Sequence, residues 1–265
     1  VVATVGSGNA TALALIVPAP MIWLLHVRVA EGVTRRHLIG VAAATSGLCL
    51  SVSAWWVAML SVEARFGAPV LSFSETLADV SRNATGSETL RGLGYWLFYV
   101  RDPVAPATTA STDYLISSRA ILVSYAVVVI AMFGLALVRW SHRRFAASLV
   151  AVGMVLAVGV HPIGSSSPLM SLLSGDGTSG LALALRSSTR ATPMMLLGLA
   201  LGTGALIEAM PGSVRRGERM VPVRPGLATC VGLRAVLKLP ALWNAELVDE
   251  AIDRDSDPPA AWLEA

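Results

Sequence analysis

The sequence predicts an all-α fold, a polytopic transmembrane helical bundle of about six spans with an extracytoplasmic loop region of interfacial helices. Three observations predict it. The 265 residues are 54% hydrophobic and 14% charged, with a mean hydropathy of +0.66, which suits lipid-facing helices better than a single soluble core. Apolar stretches of about 20 residues, the length needed to cross the hydrocarbon, recur along the chain. Arginines fill alternate gaps between them: Arg28, Arg35 and Arg36 in the first, Arg139, Arg143 and Arg144 in the third, Arg215, Arg216, Arg219 and Arg224 in the fifth. Basic loops stay cytoplasmic, so this spacing predicts a multi-pass membrane protein whose other gaps, and any chemistry, face outward.

The expected spans are about 8–28, 37–60, 118–139, 144–163, 191–210 and 225–243. Pro18 and Pro20 remove two backbone donors from the first and predict a kink. Arg234 and Lys238 interrupt the sixth; at mid-membrane each costs about 2.5–3.5 kcal/mol, so they must pair, snorkel or face a wet cavity, or the segment lies flat. Residues 61–117 form a segment too long for a turn. Helical patches are expected over 75–83 and 87–102. In the second, Ser87 is the expected N-cap, and Leu90, Leu93, Leu97 and Val100 form a stripe suited to the membrane interface. Residues 244–265 read as an acidic linker. The initial Val and the polar ending lead to the expectation that the chain is an internal piece of a longer protein.

Several functions are disfavoured. The net charge of +3 comes from arginines beside membrane boundaries rather than from a basic run interleaved with aromatics, so nucleic acid is not expected as a partner. Cys49 and Cys230 fall in apolar spans, and the four His are scattered. No local spacing suits a disulfide framework or a metal, and none suggests a cofactor. The carboxylates between Glu246 and Asp257 do not match a calcium loop.

The strings SAWWVAML (53–60), FGAPVLSFSETL (66–77), RGLGYWLFYVRD (91–102), LALRSSTRATPM (183–194) and LPALWN (239–244), in this order, resemble the AftD-type α-(1→3)-arabinofuranosyltransferases of mycobacteria and related actinobacteria. The resemblance covers nearly the whole chain. It implies part of a GT-C membrane glycosyltransferase domain, over residues 1–243, that moves arabinofuranose from a decaprenyl-phosphoryl donor to cell-envelope arabinan. It also implies that the acidic catalytic residue sits in a first outward loop upstream and that carbohydrate-binding modules follow.

The chemistry that such a reaction needs can be sought in the residues themselves. An anionic lipid-phosphate leaving group calls for cations at the membrane surface. Arg186 and Arg190 break the arginine-inside pattern and, if helical, share a face at the start of the fifth span. Their alternative role is to anchor a helix end in headgroups. Arg91 and Arg101, on the expected interfacial helix, are further phosphate or glycan ligands, or solvated surface groups. Trp55, Trp56, Tyr95 and Trp96 are either an aromatic belt or a stacking wall for sugar, and Glu75 and His161 are further glycan-contact candidates. Glu63, Glu75 and Asp102 are outward carboxylates better explained as caps or ion-pair partners than as the general base. Two other classes remain open, a transporter of lipid-linked sugar and a non-catalytic membrane scaffold. The transporter finds little support, since only Pro18, Pro20 and the Arg234/Lys238 pair suggest broken or polar helices at mid-membrane.

Overall fold

The computed structural model describes residues 10–67, 76–100, 109–162, 186–216 and 219–229. The chain divides into two compact units, residues 1–96 with 127–206, and residues 97–126 with 207–265. The fold is mostly helical. Among the described residues, four segments are long and apolar enough to cross a membrane: Thr11–Ala30, Arg35–Glu63, Ser118–Leu137 and Ser188–Ala209.

The first comprises α1 (Ala10–Ile16) and α2 (Pro18–Ala30). Their junction at Val17 keeps helical dihedrals, φ −50° and ψ −36°. The interruption arises from the two prolines, which cannot donate to the preceding turn. Next, α3 (Arg35–Phe66) has 32 residues; at 1.5 Å per residue it is about 48 Å long, well beyond the roughly 30 Å of hydrocarbon. It runs six residues past the expected end at 60, because nothing in SVEARF breaks a helix before Gly67. Its flank is apolar and open, with Ile39, Leu48, Leu50 and Met59 all exposed, as lipid-facing side chains are.

The connecting segment differs from the expectation. Two short helices, α4 (Leu77–Asn83) and α5 (Gly86–Leu90), are capped by Thr76 and Thr85 rather than by Ser87. The long interfacial helix expected over 87–102 stops at Leu90, because Gly92 and Gly94 take φ of +81° and +94°, a region other residues rarely enter. A 3-10 turn follows at Trp96–Tyr99, then α6 (Thr109–Ile116). Instead of presenting a stripe to lipid, this segment packs inward. Val80 and Ala84 are buried with Val160, and Leu90 lies against Val128, Ala131, Met195 and Leu199.

The rest of the first unit is built on α7 (Ser118–Leu137), α8 (Arg143–Ala157) and α9 (Thr192–Ala209). α9 fits closely between its neighbours, and glycines make this possible. A Cβ on Gly202 would lie 2.6 Å from the Ala131 carbonyl oxygen, one on Gly198 would lie 2.6 Å from that of Ala146, and one on Gly153 would lie 2.6 Å from the Met195 nitrogen; Gly134 abuts Gly202. Gly198 and Gly202 form a small-xxx-small pair, which lets helix backbones approach where lipid leaves no hydrophobic drive between helices. α8, the expected fourth span, has 15 residues, about 22 Å, and falls short of the hydrocarbon thickness by itself.

In the second unit, β1 (Ser213–Arg216) and β2 (Arg219–Pro222) form a short antiparallel hairpin, with Val214 opposite Val221. This is a small departure from the all-helical expectation. Arg224 Nη2 donates to the Met210 carbonyl at 2.9 Å and Nη1 to Glu208 at 2.9 Å, placing a cation on the carbonyls that end α9. The expected sixth span lies outside the described residues from 230 onward.

Candidate functional site

At the C-terminal end of α8 and the N-terminal end of α9 the chain gathers an unusual number of polar groups. Arg186 opens the segment, Ser187 follows with φ −74° and ψ 52°, and a 3-10 turn at Ser188–Ala191 leads into α9. Residues 186–190 are therefore not one α-helical stretch, and the four-residue spacing of Arg186 and Arg190 does not by itself put them on one face. A headgroup anchor would be expected to be exposed, but Arg186 is only 8% exposed, and Arg190 is half-buried. Both are engaged by neighbouring groups. The Ser188 hydroxyl donates to the Ala157 carbonyl at 2.9 Å and fastens the turn to the end of α8, while Leu15, Ala157 and Ala191 close the apolar side.

The segment 76–95 covers this end. Thr76 and Asp79 form a reciprocal capping box: the Asp79 amide donates to the Thr76 hydroxyl oxygen, and the Thr76 amide donates to the Asp79 carboxylate at 3.1 Å. The bond from the Thr76 hydroxyl, then that from its amide, holds the Asp79 carboxyl below its ordinary value of 3.8, with a smaller contribution from Arg82. A lowered folded pKa stabilises the fold above the unfolded value, and that stability is lost as pH falls through the folded one. At neutral pH the cap is thus at full strength. The protection of the Asp79 and Val80 amides, measured against the intrinsic exchange rate at each pH, is expected to fall only on acidification below about 4. Thr76→Ala is expected to lower it at neutral pH, at a cost of about 1 kcal/mol.

Two long-range contacts hold this cover in place. His161 Nδ1 is 2.9 Å from the Ser81 carbonyl oxygen and bonds to it as a donor. Gly94 brings its backbone so close to Thr89 and Thr189 that a Cβ there would stand 3.2 Å from Thr89 Oγ1 and 3.7 Å from Thr189 Cγ2. The hydroxyls of Ser81, Thr89, Thr189 and Thr192 are buried without a hydrogen-bond partner among the described residues. Buried hydroxyls in native proteins are normally satisfied, so the Thr189 hydroxyl, three residues from the buried Arg186 and meeting the same Gly94 backbone as Thr89, marks a place suited to a polar ligand or water.

Of the residues expected from sequence, Arg186, Arg190, Arg91, Tyr95 and His161 belong to the segments that meet here. Arg91 is 2.9 Å from Glu88, with its side chain 3% exposed, so its charge is neutralised locally and it closes the end of α5. Tyr95 is half-buried and engaged. Trp96 begins the 3-10 turn, while its side chain and all of Glu75 and Arg101 lie outside the described residues. Trp55 is exposed and Trp56 half-buried; because α3 continues to Phe66, both lie well inside the helix rather than at its end. Sequence reasoning missed Thr89, Thr189 and Thr192. The SSTRAT run at 187–192 was the available signal.

A family model described as Alpha-(1->3)-arabinofuranosyltransferase, N-terminal GT-C domain, matches residues 1–262. The chain belongs to this family. This GT-C domain is also similar to the Alpha-(1->3)-arabinofuranosyltransferase of Mycolicibacterium smegmatis, at 29% identity over 229 residues, which cover 79% of the chain and 15% of that protein. It therefore spans about 15% of the length of the curated relative it matches. No solved structure matches it.

Proposed function

We propose that this GT-C domain takes part in moving arabinofuranose from a decaprenyl-phosphate donor to envelope arabinan at the extracytoplasmic face of the plasma membrane. Family membership over residues 1–262 supports the reaction class. The observation that carries the site is the buried Arg186, with Arg190, in the turn that carries the Thr189 hydroxyl, which has no partner among the described residues, at the start of a membrane-length helix. The arginine-rich gaps support the orientation. Arg139, Arg143 and Arg144 meet the end of α2 around a hollow at the opposite end of α8 from Arg186, and basic ends stay cytoplasmic.

In this reading the polyprenyl chain lies among lipids and its phosphate reaches the start of α9. The bond between the anomeric carbon and the phosphate oxygen breaks, a bond from that carbon to an acceptor hydroxyl oxygen forms, and the acceptor proton passes to a carboxylate. Arg186 and Arg190 stabilise the charge that grows on the departing phosphate, which guanidinium groups do well because they fork two hydrogen bonds to phosphate oxygens. Glu88 is neutralised by Arg91, and Asp79 is occupied by its cap. The base is therefore sought in the acidic residue of a first outward loop that the family resemblance implies.

The test is transfer by the full-length parent protein in native membranes, with decaprenyl-phosphoryl arabinose as donor and a synthetic arabinan acceptor. Donor-dependent extension of the acceptor is the expected result. An inert protein, inserted normally and given both substrates, would replace this reading with that of a scaffold.

A further inference from the structure

At the opposite end of α8 from the arginine and hydroxyl cluster, two histidines far apart in sequence come together. His26, in the last turns of α2, is 8% exposed. Its Nε2 is 3.2 Å from Nδ1 of His142, the residue that precedes α8. Glu31, immediately after α2, completes the group: one ligand atom from each of His26, Glu31 and His142 lies within 4.8 Å of the others.

The separation of the nitrogens is suited to metal binding. Two Zn–N bonds of about 2.05 Å at a tetrahedral angle put the nitrogens about 3.3 Å apart; the observed separation is 3.2 Å, so a tilt of the rings about fixed nitrogens brings both lone pairs onto one ion. Glu31 is exposed, and its carboxylate supplies the third ligand atom within that 4.8 Å. Both rings are held from outside. Trp23 packs on His26 and His142 with ring centroids 5.7 and 5.3 Å away, and meets Phe145 edge-on at 4.9 Å. Such an apolar collar orients ligands and keeps them in place when the metal leaves.

Arg139, Arg143 and Arg144 line the adjoining hollow of about 420 Å³ together with His26, Ala30, Trp140 and Ser141. Their charge opposes any cation, so a hard ion held loosely by one carboxylate is disfavoured here. A metal that forms strong bonds to imidazole is not excluded by the same argument. His26 itself lines this hollow. Trp140 has a buried indole N–H without a hydrogen-bond partner among the described residues, a donor that could meet an oxygen ligand on the metal.

We propose that His26, His142 and Glu31 form a site for a divalent transition metal of the zinc class, which ties the end of α2 to the turn between α7 and α8. The motif is invisible to any local pattern, because 116 residues separate the two histidines.

The test uses the full-length chain purified in detergent, stripped with chelator and titrated with Co²⁺. Wild type is expected to take up one equivalent with the visible d–d absorption of a tetrahedral ion, displaced by Zn²⁺. His142→Gln keeps a hydrogen-bonding partner for His26 and so preserves the local fold, but is expected to lower affinity at least about 100-fold; Glu31→Gln is expected to lower it about 10-fold. The His26→Ala with His142→Ala double variant is expected to show no d–d absorption. If wild type shows no saturable band, or the double variant binds Co²⁺ as wild type does, the pair is only a hydrogen-bonded histidine contact and the proposal falls.

Discussion

Replacing Arg186 and Arg190 together by Ala is expected to lower kcat/KM for arabinosyl transfer by about 10²–10³-fold, the range for removing a preorganised donor to developing negative charge. The loss should lie mainly in kcat if the arginines act on the leaving phosphate, and mainly in KM if they only hold the ground-state donor. Arg186→Lys separates charge from geometry: it keeps the cation and loses the fork, so partial activity is expected. Because Arg186 is buried, its truncation also disturbs packing, and thermal stability in detergent must be measured beside activity. Undiminished transfer by the double variant, at equal insertion, would make the two arginines membrane anchors and nothing more.

The largest structural effect is expected at the glycine contacts of α9. Gly202→Ala would place a methyl group 2.6 Å from the Ala131 carbonyl oxygen, and the second heavy contact, Leu135 Cγ, is 2.8 Å away. Backbone cannot yield as a flexible side-chain tip can, so α9 must shift off α7. Overpacking of this kind costs about 1–3 kcal/mol, and Gly202→Val is expected to exceed that and to lower the yield of folded protein. Gly204, four residues from Ala200 on the same helix, has nothing within 4 Å of a Cβ; Gly204→Ala is the control and should be neutral or mildly stabilising. Thermal denaturation of the three variants in detergent separates them. Equal stability of Gly202→Ala and Gly204→Ala would show that the close approach does not carry the packing.

These two expectations differ in how visible they were. Gly198 and Gly202 stand four apart in an apolar run, a pattern readable from the string alone, yet its partners are not: Ala131 and Ala146 belong to two other helices. Arg186 and Arg190 were legible as exceptions to the arginine pattern, but their burial and the 3-10 turn between them were not. The interfacial stripe from Leu90 to Val100 was misread because hydrophobic periodicity takes no account of Gly92 and Gly94, whose left-handed dihedrals end the helix and fold Leu90 onto the bundle. The capping threonines were likewise passed over for Ser87, since only the backbone geometry decides which hydroxyl reaches a free amide.

The sequence by itself determined that this is a membrane protein of helices, where four of those helices run, and the family to which they belong, because hydropathy, span length and the order of local strings are one-dimensional properties. Only the tertiary structure decided what those helices hold between them. The approach of Thr89 to Thr189 at Gly94, and the paired histidines at the opposite end of α8, arise from residues a hundred or more positions apart. Their energies depend on distances of a few ångströms, which close only when the helices pack.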